Sequence, residues 1–326
     1  MNYKKEIFNK IKENNKIALF QHIQPDGDSI SSSIGLGMAI KEAYPKKEVV
    51  VVADYEYLKE NFKFLEFDKK MFKTEVDDSY LGIVGDVSVS ARILNIDQLL
   101  KTKEIICFDH HQNVTDLKST IFWHEPTCPA SAMQAYQIAK EFEIKFSEGT
   151  SLFLMIGILT DTGFFKYSAA NPMPLQFTSE LLENISNKKM NDLNRLMANR
   201  TKADLDMHGY ILNNIKYKEN VAYIIFSKKT VVKYGLFNLK IKINTIGNIE
   251  GSNIWAFFLP EEEDGKMFYG CHMRSSGPKI SPVATKWGGG GHFKACGAKV
   301  KNLDEVHSVI DDLINVKEMV DEPNYE

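Results

Sequence analysis

The sequence predicts an α/β protein: a parallel, doubly wound sheet forms a first domain, and a smaller α/β domain follows. Three observations carry this expectation. Short β-branched runs alternate with helix-length periodic segments in the first half of the chain, as strands joined by crossover helices do. Acidic and imidazole residues follow several of these runs, and open α/β sheets bind their ligands just beyond the carboxyl ends of strands. From about 187 to 217 the chain turns polar and helical before strand-like runs resume. In a chain of 326 residues that change marks a boundary between two domains.

Taken in order, KIALFQH (16–22) reads as the first strand, and a helix is expected from about Ser29 to Tyr44. EVVVVAD (48–54), LGIVGDVS (81–88) and EIICFDHH (104–111) supply further strands. ASAMQAYQIAKEF (130–142) and TSLFLMIGILTD (150–161) read as helices, the second apolar on nearly every side and therefore buried. Residues 1–187 form the expected first domain, 188–217 a helical linker and 218–326 the second domain. VAYIIFS (221–227) and IWAFFLP (254–260) are strands of that second domain, and DEVHSVIDDLINVKEMV (304–320) is amphipathic. The tail DEPNYE (321–326) is expected to fray.

Composition bounds the function. Apolar residues make up 44% and charged residues 25%, ordinary values for a folded globular chain, so disorder is excluded. A formal net charge of -3 provides no global basic field, which argues against long duplex nucleic acid as a partner and leaves any anion to a local patch. The amino terminus is lysine-rich without the apolar core of a signal peptide, and SLFLMIGILT is too short to span a bilayer. The expectation is a cytoplasmic protein with no membrane partner. Cys107, Cys128, Cys271 and Cys296 form no CxxC pair and read as buried thiols.

The chemistry-bearing residues are His22, Asp26 and Asp28 in HIQPDGDSISS, Asp86 in VGDVS, Asp109, His110 and His111 in FDHHQN, and Asp161 in LTDTG. A lone Asp after a strand is more often a cap or turn residue than a ligand. Several such residues at the ends of neighbouring strands are a different matter. Hard carboxylate oxygens mixed with imidazole suit manganese or a similar divalent ion rather than a thiolate zinc site, and two such ions about 3.5–4 Å apart need a bridging carboxylate.

These four stretches resemble the motifs of the DHH phosphoesterases, and GGGGHFKACGA (288–298) resembles the glycine-rich motif of the C-terminal domain associated with them. The resemblance spans both expected domains, in the expected order. It implies an active-site cleft between the domains and two Mn²⁺ ions per chain, with Mg²⁺ or Co²⁺ as substitutes. His22, Asp26 and Asp86 would hold one ion, and Asp28, Asp86, His110 and Asp161 the other, so that Asp86 bridges. Pro25 and Gly27 would shape the loop that sends alternate carboxylates to different ions. His111 would face the substrate phosphate while Asp109 orients an imidazole, making these two the catalytic pair beside the metals. The ions would activate a water for in-line attack on phosphorus.

In the second domain, Gly288, Gly289, Gly290 and Gly291 let backbone N–H groups approach a phosphate closely, and Arg274 and His292 add charge. On their own the glycines read as a flexible hairpin; with Arg274 and the resemblance a substrate clamp becomes the better reading. Lys279, Lys286 and Lys294 read as solvated, and His124, His208, His272 and His307 as structural or exposed. The two-domain layout, without membrane or additional nucleic-acid modules, is similar to the stand-alone nano-RNase and pAp phosphatase group. The expected substrates are therefore short RNA oligonucleotides or dinucleotides such as pApA, and 3′-phosphoadenosine 5′-phosphate; a homodimer is allowed for. A dedicated pApA or cyclic-di-AMP phosphodiesterase is the nearest alternative. A catalytically silent nucleotide-binding regulator is the other, disfavoured because every ligand is in place.

Overall fold

A computed structural model describes residues 2–63, 65–112, 115–166, 172–263 and 265–316, and in it the chain divides into two compact units, Met1–Ala198 and Asn199–Glu326. The boundary falls inside the stretch expected to be a linker. The helix Asn187–Ala198 belongs to the first unit, where Leu193 is buried in the core, and the helix Lys202–Asn213 belongs to the second, where Met207 and Ile211 are buried. Each helix is held by the apolar stripe it buries, so 188–217 is divided between the units. The tail 321–326 lies outside the described residues.

The first unit is built on six parallel strands: β1 (Lys16–Phe20), β2 (Glu48–Val52), β3 (Phe72–Lys73), β4 (Leu81–Gly85), β5 (Glu104–Asp109) and β6 (Ile121–His124). Their order across the sheet is β3-β2-β1-β4-β5-β6, with every neighbouring pair parallel. Parallel strands are buried on both faces, and the sequence shows why these are: alternate residues of β1 feed different cores. Ile17 and Leu19 pack into the larger cluster with Ile30, Ile34 and Phe108, whereas Ala18 and Phe20 pack into the other with Val50, Val52 and Val84. Each of the Val, Leu, Ile and Phe side chains among these, when fully buried, contributes about 1.5–3 kcal/mol. Chain order reverses between β1 and β4, and a doubly wound sheet opens its crevice at that switch point.

Among the elements of this unit not anticipated from the sequence are the helix Tyr3–Glu13 and the strands β3 and β6. Lysines mask the helix in the composition, yet Ile7 and Ile11 bury completely one turn apart, and Asn2 caps its start. The expected helix after the first strand is continuous in space but not uniform, since Ser31–Gly35 forms a π-helical turn between Gly27–Ile30 and Leu36–Ala43. Such turns recur at functional sites.

The second unit carries β7 (Lys216–Lys218), β8 (Val221–Ile225), β9 (Ile254–Glu263), β10 (Lys266–Ser275), β11 (Gly290–His292) and β12 (Ala295–Val300). Their order is β11-β12-β10-β9-β8-β7; β8 and β9 are parallel and the other pairs antiparallel. One face packs Ile254, Ala256 and Phe258 against the helix Leu303–Ile314, and the other packs Trp255, Phe257 and Leu259 under the segments Lys228–Tyr234 and Leu236–Lys240. All four cysteines are free and buried. Among the described residues no helix is long and apolar enough to cross a membrane.

Candidate metal centre

The centre is assembled where β1, β4 and β5 end. His22 follows β1 and is buried, and its Nδ1 lies 2.9 Å from the Ile23 carbonyl oxygen. A carbonyl only accepts, so Nδ1 carries the proton and the Nε2 lone pair is left for the site. His110, just past β5, is fixed in the same way: its Nδ1 donates to the Cys128 carbonyl at 3.0 Å. The two imidazoles therefore present the same atom.

The carboxylates come from different elements. Asp26 caps the helix that starts at Gly27, accepting from the Asp28 and Ser29 N–H groups at 3.0 Å each. Asp28 is buried and accepts from the backbone N–H groups of Ser131 and Ala132 at 2.7 and 2.6 Å. Those groups open the helix Ser131–Lys140, so the positive end of its dipole is aimed at Asp28. Asp86 follows β4 in a left-handed conformation, φ +67°. Asp161 is the last residue of the helix Glu148–Asp161, at the negative end of its dipole, where a carboxylate is disfavoured unless a cation is present.

These groups converge. His22 Nε2 lies 3.7 Å from Asp26 Oδ1 and 3.5 Å from Asp86 Oδ2. His110 Nε2 lies 3.6 Å from Asp28 Oδ2, 3.5 Å from Asp86 Oδ1 and 3.4 Å from Asp161 Oδ2. Such separations are too long for hydrogen bonds and suit ligands arranged around a common cation. Two sets, His22–Asp26–Asp86 and Asp28–His110–Asp161, each bring their ligand atoms within 4.8 Å of one another, and a third joins Asp86 with His110 and His111. In the third, however, His111 Nδ1 is engaged by Asp109 Oδ1 at 2.8 Å, closer than its 3.6 Å to Asp86.

Electrostatics indicates what the centre would take. Burial, reinforced by the charges of Asp28, Asp26 and Asp109, pushes the Asp86 carboxyl well above its ordinary range. Burial also drives up Asp161, with the charges of Asp28, Asp26 and Asp86 adding to it. Asp28 rises for the same first reason, with His110 opposing. Asp86 Oδ1 is buried without a hydrogen-bond partner, and an orphaned buried carboxylate oxygen is costly. Hard oxygens, two imidazole lone pairs and that orphaned atom fit divalent cations. When bound, such ions supply Lewis-acid activation of water and neutralise charge developing on a phosphoryl group.

Asp109 behaves oppositely to its acidic neighbours. Burial would raise it, but His111 outweighs that through its ring hydrogen bond, its charge and its backbone N–H, with Ser88 Oγ donating at 2.6 Å; the carboxyl is brought down to about 2. Asp109 is thus a fixed anion holding the His111 ring.

The sequence reading missed Ser88, the Ser131 and Ala132 N–H groups, and His124, whose Nε2 donates to the His111 carbonyl at 2.7 Å. Ser88 stands two residues after Asp86 and was legible as part of VGDVS. His124, read as structural or exposed, stacks on Phe122 and also anchors the backbone of His111. Arg274, Gly288, Gly289, Gly290, Gly291 and His292 belong to the second unit. Arg274 stands on β10 and donates to the Met273 carbonyl at 2.9 Å. Gly290 and Gly291 form an edge strand against β12 rather than a free loop, and a Cβ on Gly289 would lie 2.0 Å from the Gly297 carbonyl oxygen. The side chain of His292 lies outside what is described.

The fold and the ligand set define a DHH-type phosphoesterase. Residues 16–158 match the DHH family N-terminal domain and residues 229–318 the DHHA1 domain; the chain belongs to this family, whose members are metal-dependent, and it is a hydrolase. It is 32% identical over 315 residues to the bifunctional oligoribonuclease and PAP phosphatase NrnA of Mycoplasma pneumoniae, covering 94% of each chain. With the protein of the same name from Bacillus subtilis it shares 28% identity over 318 residues, 95% of this chain and 97% of the other. The crystal structure of an exopolyphosphatase-related protein from Bacteroides fragilis superposes with a TM-score of 0.77 at 21% identity, covering 96% of this chain and 95% of that one; the shared fold is what that likeness shows.

Proposed function

We propose that the chain is a Mn²⁺-dependent phosphoesterase that hydrolyses very short oligonucleotides, pApA among them, to mononucleotides, and converts 3′-phosphoadenosine 5′-phosphate to AMP. The observation that carries this reading is the split orientation of Asp86. Its Oδ2 lies 3.5 Å from His22 Nε2 and its Oδ1 3.5 Å from His110 Nε2, so each oxygen addresses a different histidine and a different ligand set. Asp86 is accordingly assigned as the bridge between two ions, with His22 and Asp26 on one side and Asp28, His110 and Asp161 on the other. Mixed carboxylate and imidazole donors favour Mn²⁺ over Mg²⁺, and Mg²⁺ or Co²⁺ would substitute.

In this reading Asp109 holds the His111 ring through its Nδ1 at 2.8 Å and so orients it toward the substrate phosphate. Arg274, the glycine run 288–291 and His292 grip the nucleotide from the second unit. The activities for which the relatives are named, oligoribonuclease and PAP phosphatase, agree with a centre that attacks phosphorus in a chain of net charge -3, with no basic surplus to track a long strand. Four buried free thiols suit a reducing compartment, hence a cytoplasmic location.

The test is Mn²⁺-dependent product release from pApA, a five-nucleotide RNA, 3′-phosphoadenosine 5′-phosphate and a long single strand. Activity on the first three should vanish with chelator, and efficiency should fall beyond about five nucleotides because longer strands gain neither stacking nor electrostatic contacts. Equal efficiency on the long strand and on pApA would overturn the assignment.

A further inference from the structure

At the carboxyl end of β5 the carbonyl groups are taken up by β6 as in any parallel ladder. Asp109 and His124 are the last register partners of the two strands, and the Glu125 N–H donates to the Asp109 carbonyl at 2.9 Å. The next acceptor facing that edge, two residues on, is the His111 carbonyl. No strand remains to meet it, because β6 has given way to a turn in which the Cys128 N–H donates to the Glu125 carbonyl at 2.9 Å. A side chain takes the missing place: His124 Nε2 lies 2.7 Å from the His111 carbonyl oxygen. We infer that His124 is a positioning residue, which fixes the backbone of His111 so that its ring meets the substrate phosphate. The inference rests on the reading of His111 as the phosphate contact and adds the residue that sets its geometry.

The donor is itself held. A carbonyl only accepts, so Nε2 carries the proton of this bond, and a neutral imidazole suffices to supply it. Phe122 and His124 stand two apart on β6 and share one face of the sheet; their rings stack with centroids 5.3 Å apart and planes 8° from parallel. Phe122 in turn packs against the cluster that contains Val84 and Cys107. An exposed imidazole is thereby given one orientation. His111 is then gripped on both sides of its Cα. The Asp109 carboxylate takes its backbone N–H at 3.1 Å and its ring Nδ1 at 2.8 Å, while His124 takes its carbonyl. With both peptide groups and Nδ1 fixed, the direction of the remaining ring nitrogen is set by the protein before substrate arrives.

Other roles fit His124 less well. Among the described residues it belongs to none of the three groups of side chains able to surround a metal ion. A direct contact with substrate through Nε2 would need the N–H that the His111 carbonyl already occupies. A purely structural role needs the stacked ring and not its N–H, so a ring without a donor would serve it equally.

Two measurements on the Mn²⁺-loaded protein test this: steady-state kinetics on pApA, and calorimetric binding of orthovanadate, which imitates the five-coordinate phosphorus of in-line attack. Each is made on His124→Phe and His124→Gln, alone and combined with His111→Ala. His124→Phe keeps the stacked ring and removes the donor. Its kcat should fall by about tenfold, as when a group that orients an active-site residue is lost, with KM and bound Mn²⁺ unchanged because the contact is made in the transition state. Orthovanadate should bind more weakly by a similar factor. His124→Gln, whose side-chain amide N–H has a comparable reach, should recover most of both losses. In the His111→Ala background the same substitutions should cost nothing further, since there is no ring left to position. Full activity in His124→Phe, or an equal loss with and without the His111 ring, would overturn the inference. If pApA is not hydrolysed but orthovanadate binding depends on the two histidines in this coupled way, the substrate reading falls and the positioning stands. If pApA is hydrolysed and neither measurement shows the coupling, the positioning falls alone; if there is neither hydrolysis nor coupling, both fall.

Discussion

At the scale of single residues, Asp86 pays several costs at once. It holds a left-handed backbone conformation that few side chains other than Asn and Asp tolerate, and its Oδ1 is buried without a partner beside other carboxylates. A residue so placed is expected to weaken the metal-free fold while serving the reaction. Asp86→Asn keeps shape and backbone preference but removes the charge. Turnover should drop by at least about 10²–10³-fold, as with the loss of one preorganised electrostatic group, and bound Mn²⁺ counted by elemental analysis should fall for both sites. The metal-free variant should nevertheless melt above the metal-free wild type; a lower melting point would show that Asp86 supports the fold instead. The motif residues themselves were legible because each follows a strand or turn within a few positions of a recognisable run. The donors that fix them were not, since Ser131 and Ala132 reach Asp28 across more than a hundred residues of sequence.

At the scale of elements, the site depends on how closely the helix beginning at Gly27 approaches the helix Glu148–Asp161. Gly27 stands between Asp26 and Asp28, and a Cβ there would lie 2.4 Å from Thr160 Oγ1, one residue before Asp161. Ser31 reinforces the contact from its π-helical turn, accepting from the Gly157 N–H at 2.7 Å and donating to the Phe153 carbonyl. Gly27→Ala should force the two helices apart, cost about 1–3 kcal/mol as overpacking does, and weaken Mn²⁺ binding by moving Asp26 and Asp28 away from Asp161. Adding Thr160→Ala removes the two closest atoms of the clash and should restore part of the metal affinity. Titration of both variants with Mn²⁺ measures this, and a Gly27→Ala protein of normal affinity would separate the glycine from the site. From the sequence, Gly27 reads as a loop-shaping residue. Its helix-to-helix contact is invisible there because Thr160 lies far along the chain, and the π turn leaves no mark in the hydrophobic period.

At the scale of the whole molecule, the layered fold and the order of the two units were legible because strand-length β-branched runs and helical periodicity persist over many residues. The exact boundary was not: a polar amphipathic helix looks like a linker until the core that buries its stripe is known. The metal centre ties this architecture to pH. In the metal-free protein Asp28, Asp86 and Asp161 all have carboxyl pKa values raised by burial and mutual repulsion. A folded pKa above the unfolded value near 4 means that the native state holds more protons, so stability falls as pH rises from about 4 through the raised values. His22 is also raised: burial would lower it, but the nearby Asp26 carboxylate and the Ile23 carbonyl outweigh that, and it acts in the same direction. Asp109, lowered to about 2, has the opposite sign, but its contribution is lost only as pH falls below about 4 and so lies outside this window. Divalent ions bind the deprotonated ligands and reverse the trend. Protein treated with EDTA should therefore lose thermal stability between pH 5 and 8, while Mn²⁺-saturated protein should not. At neutral pH the gap should reach about 10–20 °C, given about 2.7 kcal/mol for each of the two proposed sites at a hundredfold excess over Kd. Melting curves across that range, with and without Mn²⁺, decide it: a gap that stays constant with pH would mean that the carboxylate cluster does not carry the strain assigned to it.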